Sequence, residues 1–258
     1  MGHKDAVFGL AWSPDGQILA SCSRDKTIRL WDPQTGEVLH TIGVIGHTHL
    51  ICDIEWSPDG KMIATSSFDK TIRVWEPIKG DPLHILSGHT EAVYDLAWAP
   101  NGETLVSCGQ DNIIWIWNPQ TGKSIGVLEG HEGWVRHVAW LPKSNLLASC
   151  SLDKTIRLWD LQTGQTVRIL TGHTGPVTCV DFSSDGRFLA SQSWDGTIRI
   201  WHTSTWKCIP ILQEPTSTYC PPALLFHPHE LALATLDEDR KYLLVWDIDI
   251  DEILRAIQ

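Results

Sequence analysis

One seven-residue motif recurs along this chain at nearly constant spacing. The sequence DKTIRLW at 25–31 returns almost unchanged at 69–75 and at 153–159, and a close variant occupies 195–201. The Trp residues that close successive copies are separated by 44, 42, 42, 42 and 45 residues, and they are Trp31, Trp75, Trp117, Trp159, Trp201 and Trp246. A period of ~40–45 residues indicates that one supersecondary unit has been copied along the chain. Each residue must therefore be interpreted by its place in the repeat.

A second marker, the dipeptide Gly-His, precedes the closing Trp by 29 residues in five of the six units. Between the markers of the first unit, apolar runs at 7–13, 18–23, 27–31 and 37–42 alternate with turn-forming residues. These runs are rich in Val, Ile, Thr and Trp and are too short for ordinary helices, so they predict four strands. A single four-stranded sheet leaves both faces uncovered, and packing copies around a central axis covers them. We predict an all-β chain of six four-stranded antiparallel propeller blades.

These units resemble the WD-repeat family of β-propellers over about residues 2–250, with five Gly-His, Asp and Trp sets in register. The resemblance implies that each blade holds a buried, hydrogen-bonded tetrad. Its members are the His of Gly-His, a Ser or Thr of the second strand, the turn Asp and the third-strand Trp. The implied tetrads are His3, Ser21, Asp25 and Trp31; His47, Thr65, Asp69 and Trp75; His89, Ser107, Asp111 and Trp117; His131, Ser149, Asp153 and Trp159; and His173, Ser191, Asp195 and Trp201.

A Ser, a His and an Asp in one cluster also suggest a hydrolase. The set recurs five times, however, and the chain contains no G-x-S-x-G nucleophile motif, so a structural role is favoured. A buried carboxylate needs hydrogen-bond donors, which His, Ser and the Trp N–H supply.

The chain is expected to form one domain, 1–258, with repeats at approximately 2–43, 44–86, 87–128, 129–170, 171–212 and 213–258. The last repeat is degenerate: Glu214-Pro215-Thr216 stands in place of Gly-His, and its remaining candidates are Thr235, Asp239 and Trp246. Many members of the resembled family have seven blades. Three alternatives stay open, namely a six-bladed ring, part of a seven-bladed or larger propeller, and a ring completed by another molecule. We expect part of a larger protein.

The net charge of −11 disfavours nucleic acid and anionic membranes as partners, because both require a basic surface. Four recurring arginines are interpreted as strand-surface residues whose stems cover the next blade, and these are Arg29, Arg73, Arg157 and Arg199. No apolar run approaches the ~20 residues that span a membrane.

The cysteines favour a reducing compartment, the cytoplasm or alternatively the nucleus. Their number, 7, is odd, and no C-x-x-C pair occurs, which argues against a disulfide framework or a zinc site. Cys22, Cys108 and Cys150 share one repeat position, so they are predicted to be small buried residues.

If the tetrads are structural, function belongs to positions that vary between copies. One such position precedes the tetrad Asp, and another lies five residues after the Gly-His histidine. The resemblance places both on the face that carries the Gly-His loops, where partners of such proteins commonly bind. The predicted partner-binding residues are Phe8, Arg24, Phe68, Tyr94, Gln110, Trp134, Arg136, Leu152 and Trp194. Aromatic and Arg side chains are typical of binding hot spots, although the alternative is that these side chains plug a central channel.

The function predicted from these features is a non-catalytic scaffold that binds a protein or peptide on the Gly-His-loop face. An alternative is a sensor propeller of a larger signalling protein with an effector or NTPase domain. A less favoured alternative is an enzyme with a central-pocket site, for which His49, His137, His202, His227 and His229 show no repeated ligand spacing. No metal or cofactor is expected.

The remaining tryptophans fall into two groups. Those that recur in the first strand are predicted to be blade core, namely Trp12, Trp56, Trp98 and Trp140. Trp115 and Trp206 do not recur and receive no role.

Overall fold

A computed structural model describes residues 2–43, 46–213, 224–236 and 243–247 of the chain. All the regular secondary structure in these ranges is β-strand, and the strands form antiparallel propeller blades. The predicted fold class is therefore confirmed. Within the described residues there is no helix with the length and apolar character that crossing a membrane requires. The chain divides into two compact units, Met1–Gly130 and His131–Gln258.

The first unit contains three four-stranded sheets, in each of which strands adjacent in sequence pair antiparallel. The first sheet is β1 (Val7–Trp12), β2 (Leu19–Ser23), β3 (Ile28–Trp31) and β4 (Val38–Ile42). The second is β5 (Ile51–Trp56), β6 (Ile63–Ser67), β7 (Thr71–Trp75) and β8 (Pro82–Ser87). The third is β9 (Val93–Trp98), β10 (Leu105–Gly109), β11 (Ile114–Asn118) and β12 (Lys123–Leu128).

The second unit contains two four-stranded sheets and, within the described residues, one three-stranded sheet. The fourth sheet is β13 (Val135–Trp140), β14 (Leu146–Ser151), β15 (Ile156–Asp160) and β16 (Gln165–Leu170). The fifth is β17 (Val177–Phe182), β18 (Phe188–Ser193), β19 (Thr197–His202) and β20 (Cys208–Gln213). The sixth is β21 (Leu224–Phe226), β22 (Ala232–Leu236) and β23 (Leu243–Asp247).

Turn chemistry gives each sheet two distinct ends. In the first sheet Ser13 Oγ donates to the Asp15 carboxylate at 2.6 Å, and the Gly16 N–H donates to the Ser13 carbonyl at 2.8 Å. Gly16 has a φ of 69°, a conformation that glycine adopts without a steric penalty. This turn, between the first and second strands, lies at the same end of the sheet as the turn between the third and fourth strands. We call this end the opposite end. The Gly-His segment and the turn between the second and third strands lie at the other, which we call the Gly-His end.

The core of each unit lies between consecutive sheets. The first sheet presents Ala20, Cys22 and Leu30 to the second, which contributes Ile54 and Trp56. We call the face of a sheet that packs on the next sheet in the chain its trailing face. The face that packs on the preceding sheet is its leading face. The same pattern joins the second sheet to the third and, in the other unit, the fourth to the fifth. The prediction for the repeated cysteines is confirmed, since Cys22, Cys108 and Cys150 are each 0% exposed.

The prediction that all four first-strand tryptophans are core is wrong for Trp12, and Trp140 is only half-buried. Trp56 and Trp98 are 9% and 6% exposed, but Trp12 is 57% exposed and Leu10, two residues before it on β1, is 64% exposed. The physical reason is that these side chains belong to leading faces, which are buried only when a preceding sheet packs on them. No described sheet of the first unit packs on the leading face of the first sheet.

Candidate functional site

Each of the five complete units brings its predicted tetrad together in one hydrogen-bonded chain. In the second sheet His47 Nδ1 lies 2.8 Å from Asp69 Oδ2, and His47 Nε2 lies 2.9 Å from Thr65 Oγ1. The Trp75 indole N–H donates to the same Thr65 oxygen at 2.9 Å. One arrangement of hydrogens satisfies these contacts: Trp donates to the hydroxyl, the hydroxyl donates to Nε2, and Nδ1–H donates to the carboxylate.

The other four tetrads repeat this geometry with corresponding distances of 2.7–3.2 Å. They are His3, Ser21, Asp25 and Trp31; His89, Ser107, Asp111 and Trp117; His131, Ser149, Asp153 and Trp159; and His173, Ser191, Asp195 and Trp201. In the degenerate sixth unit Thr235 is buried, while Asp239, residues 214–216 and the side chain of Trp246 lie outside what the structure describes.

The surroundings of the tetrads keep the five carboxylates ionised, and in the fourth and fifth sheets they also favour a neutral imidazole. Burial alone would raise the pKa of Asp195, but hydrogen bonds from the Thr197 hydroxyl, the Thr174 N–H and His173 together lower it to about 2. Burial lowers the pKa of His173 despite the opposing pull of Asp195, and the pKa of His131 is lowered for the same reason. The tetrad is therefore a fully satisfied polar network, which rigidifies the end of each sheet.

The tetrads lack the accessibility that a hydrolytic nucleophile needs. The residues that carry the hydroxyls are 0–2% exposed in all five copies, namely Ser21, Thr65, Ser107, Ser149 and Ser191. A substrate carbonyl has no route to an oxygen that already binds both an indole and an imidazole.

Two of the four repeated arginines lie over the tetrad tryptophans of their own sheets. The guanidinium of Arg73 lies 5.9 Å from the ring centre of Trp75, and that of Arg157 lies 5.8 Å from the ring of Trp159. Residues two apart in a strand point to the same side of the sheet, which places Arg73 and Arg157 over the Trp that follows each of them. Coverage of the next blade by the stems of the repeated arginines stays a prediction.

Two non-recurrent tryptophans, which sequence reasoning left without a role, occupy repeat positions held elsewhere by other residues. Trp115 stands where the other four complete units have Arg, and its ring stacks on Trp117 at 5.2 Å with an interplanar angle of 14°. Trp206 stands where Gly164 and its counterparts adopt positive φ, and it has a φ of 56° itself. Its side chain packs against the core shared by the fourth and fifth sheets. Aligning the repeats residue by residue would have revealed both roles.

In the first unit, the predicted partner-binding residues lie at the Gly-His end. The N–H of Arg24 donates to the Ala6 carbonyl at 2.8 Å. In the same way, the Phe68 N–H donates to the carbonyl of residue 50 at 3.2 Å, and the Gln110 N–H donates to the carbonyl of residue 92 at 2.9 Å. These bonds hold the turn before each tetrad Asp against the segment that enters the first strand. Phe8 is 39% exposed at the start of β1.

Phe68 forms the centre of an aromatic cluster that spans the second and third sheets. Its ring stacks on His49 at 5.6 Å and meets Tyr94 edge-on at 5.7 Å. Phe68 is 37% exposed, His49 is exposed and Tyr94 is half-buried. We call these three residues the aromatic cluster. Sequence reasoning treated His49 only as a scattered candidate metal ligand, although it lies two residues past a Gly-His marker, where the loop turns toward Phe68.

In the second unit the remaining predicted residues also lie at the Gly-His end. The Leu152 N–H donates to the Trp134 carbonyl at 3.0 Å, which places these two residues side by side. Trp134 is 40% exposed, while Leu152, Arg136 and Trp194 are half-buried. The Trp194 N–H donates to residue 176 at 2.9 Å in the same manner. Within the described ranges, no three His, Cys, Asp or Glu residues are grouped so that they could hold a metal ion.

Comparison with known proteins agrees with this geometry. The family model of the WDR19 first beta-propeller matches residues 8–158, more than half of the chain, and that of the WD domain, G-beta repeat, matches 164–202. The chain belongs to the WD-repeat β-propeller family. Propellers of this family are generally protein-interaction scaffolds and are typically non-catalytic.

Three curated relatives illustrate matches that each extend over less than one repeat. Human striatin-4 is 65% identical over 34 residues, which are 13% of this chain and 4% of that protein. A probable cytosolic iron-sulfur protein assembly protein CIAO1 homolog from Ixodes scapularis is 57% identical over 35 residues, 14% of this chain and 11% of the relative. Bovine coronin-7 is 54% identical over 33 residues, 13% of this chain and 4% of the relative. The chain thus covers a small part of these proteins, and the similarity is that of the shared repeat.

Proposed function

We propose that this chain is a non-catalytic scaffold that binds a protein or peptide at the Gly-His end of its sheets. The observation that carries the proposal is the aromatic cluster of His49, Phe68 and Tyr94. Its rings are partly exposed, yet they lie in contact with one another on strands and turns fixed by the tetrads. Exposed aromatic groups held by a rigid frame lose little conformational entropy on binding, which suits them as anchors.

The second unit supports the same proposal with a separate set of residues. Trp134 exposes 40% of its surface beside Leu152, and Trp194 occupies the position equivalent to Phe68 in its own sheet. In each unit, large apolar side chains at the Gly-His end of a sheet are unusual for a surface that contacts only water. Because the repeated residues at these turns serve the tetrads, the residues that vary between copies are available for recognition.

The proposal is tested by affinity capture with a variant of the aromatic anchors. The chain and its Phe68→Ala/Trp194→Ala variant are used to capture proteins from a lysate of the source cell, with quantification by mass spectrometry. Proteins retained by the native chain should be lost from the variant, while the melting temperatures of the two differ little. Val167→Ala, which truncates an exposed residue of β16, serves as the matched control and should retain those proteins. If the Phe68→Ala/Trp194→Ala variant captured the same proteins as the native chain, in equal amounts, a site at the Gly-His end would be refuted.

We also propose that the chain works in the cytoplasm as one propeller domain. The inaccessible thiols of Cys22, Cys108 and Cys150 support a reducing compartment, because such residues serve as small apolar groups in the core. Within each of the two units, the repeated packing of trailing on leading faces is that expected of a domain built from like repeats.

A further inference from the structure

A cavity of ≈ 570 Å³ lies between the first and second sheets at their opposite end, away from the aromatic cluster. Ile18, Leu30 and Trp56 contribute apolar wall. The turn at 13–15 of the first sheet and the turn at 58–61 of the second form two sides, and Glu76, Pro77 and Ile78 form a third. This volume lies in the range of ligand-binding clefts and accommodates several side chains of a bound peptide.

Ile78 breaks the repeat at the rim of this cavity. The turn between the third and fourth strands reads Pro-Gln-Thr-Gly at 33–36 and at 119–122, and Leu-Gln-Thr-Gly at 161–164. In the second sheet it reads Pro-Ile-Lys-Gly, so an Ile replaces a Gln that is present in three other copies. Ile78 is 82% exposed, the highest value among the large apolar residues of the described chain. The turn itself does not require the apolar side chain, since Gln serves in the same turn elsewhere.

The neighbouring cavity at the same end provides an internal comparison. Between the second and third sheets lies a cavity of ≈ 700 Å³, whose walls include Asn101, Glu103, Thr104, Asn118 and Gln120. Polar residues predominate in that lining, although Pro58 and Ile125 also contribute to it. The apolar lining between the first two sheets is therefore a particular property of that pair and does not follow from the repeat.

The charges around the apolar cavity have a net negative sign. Three carboxylates line it, those of Asp15, Asp59 and Glu76, together with one ammonium group, that of Lys61. Lys61 Nζ lies 3.2 Å from Asp59 Oδ2, so this cation pairs with one carboxylate. The Ser13 hydroxyl and the Gln17 N–H bind Asp15 and lower its pKa, so it stays ionised at neutral pH. Two carboxylates thus remain to attract a cationic partner.

We infer that this cavity is a second protein-binding site, which takes an apolar side chain from a basic segment of a partner. The apolar side chain packs against Ile78, Leu30 and Trp56, and Lys or Arg residues on either side of it face Asp15 and Glu76. Burial of the exposed Ile78 contributes the apolar part of the affinity, and the carboxylates select against acidic segments. This inference is independent of the Gly-His end, because the two sites lie at opposite ends of the same sheets.

Fluorescence polarisation with three labelled heptapeptides tests the inference. The first has Leu at its centre with Lys and Arg on both sides, the second has Ala in place of that Leu, and the third has Glu in place of the basic residues. The first peptide should bind the native chain, more weakly as NaCl rises from 50 to 300 mM, and the other two should bind at least tenfold more weakly.

The variants separate the cavity from the rest of the molecule. Ile78→Gln restores the residue of the other repeats, so it should leave folding intact while weakening binding of the first peptide at least tenfold. Asp15→Asn should weaken it by a smaller factor. Val167→Gln, an equally polar change at an exposed site in the other unit, and Phe68→Ala at the Gly-His end should leave binding unchanged. Failure of the first peptide to bind, or equal affinities for the native chain and the Ile78→Gln variant, would overturn the inference and leave the proposal for the Gly-His end untouched.

Discussion

At the scale of single residues, the tetrad carboxylates are the groups whose loss should matter most. Asp153 Oδ2 binds His131 Nδ1 at 2.7 Å and the Glu132 N–H at 3.1 Å, and its other oxygen binds the Thr155 hydroxyl at 2.6 Å. Asp153→Ala leaves these donors, among them the buried His131, without their acceptor, so we expect it to lower the free energy of unfolding by ~3 kcal/mol. Urea denaturation measures this change.

Asp32→Ala provides the control at the residue scale. Asp32 also accepts two backbone N–H bonds, but it lies in an exposed turn, where water replaces the lost acceptor. We therefore expect a clearly smaller loss of stability than for Asp153→Ala. Similar losses for the two variants would contradict the view that the tetrads carry the stability of the Gly-His end.

At the scale of strands and sheets, burial depends on which face has a neighbour. Trp98 lies on a leading face against the second sheet and is 6% exposed, whereas Trp12 has the same repeat position and is 57% exposed. Trp98→Ala should lower the free energy of unfolding by ~3–5 kcal/mol through the cavity that it leaves. Trp12→Ala removes an identical side chain and should cost less than half of that. Comparable losses in thermal or urea unfolding would show that Trp12 is covered in solution.

This contrast also shows which features of the sheets are predictable from sequence. Strands and tetrads follow from the spacing of Gly-His, Asp and Trp, because those residues form local contacts that every copy repeats. The exposure of Trp12 depends on a neighbouring sheet, and the position of Arg73 over Trp75 depends on the side-chain alternation of β7. His49 in the aromatic cluster and Ile78 at the cavity are single departures from the repeat. Their roles depend on contacts between sheets, which no single repeat specifies.

At the scale of the whole molecule, the repeated tetrads should make stability sensitive to acid. His131 and His173 have folded pKa values below their ordinary 6.5, so the unfolded chain binds protons first as the pH falls below 6.5. The tetrad aspartates have folded pKa values below their ordinary 3.8, so their contribution is present above pH 3.8 and is lost as the pH falls through the folded values. Both effects have the same sign, and they act together in the fourth and fifth sheets.

One buried carboxylate acts in the opposite direction. Burial raises the pKa of Asp181 to about 6, against the Phe226 N–H that donates to it at 2.7 Å, so protonation of Asp181 favours the folded state between about pH 6 and 3.8. We expect the free energy of unfolding, measured by urea denaturation at pH 7.5, 5.5 and 4, to fall progressively. The fall should be steeper for Asp181→Asn, which keeps an acceptor for Phe226 but loses the titrating group. Equal stability of the Asp181→Asn chain at pH 7.5 and 4 would contradict the lowered pKa values of His131 and His173, and parallel profiles for the two chains would contradict a raised pKa at Asp181.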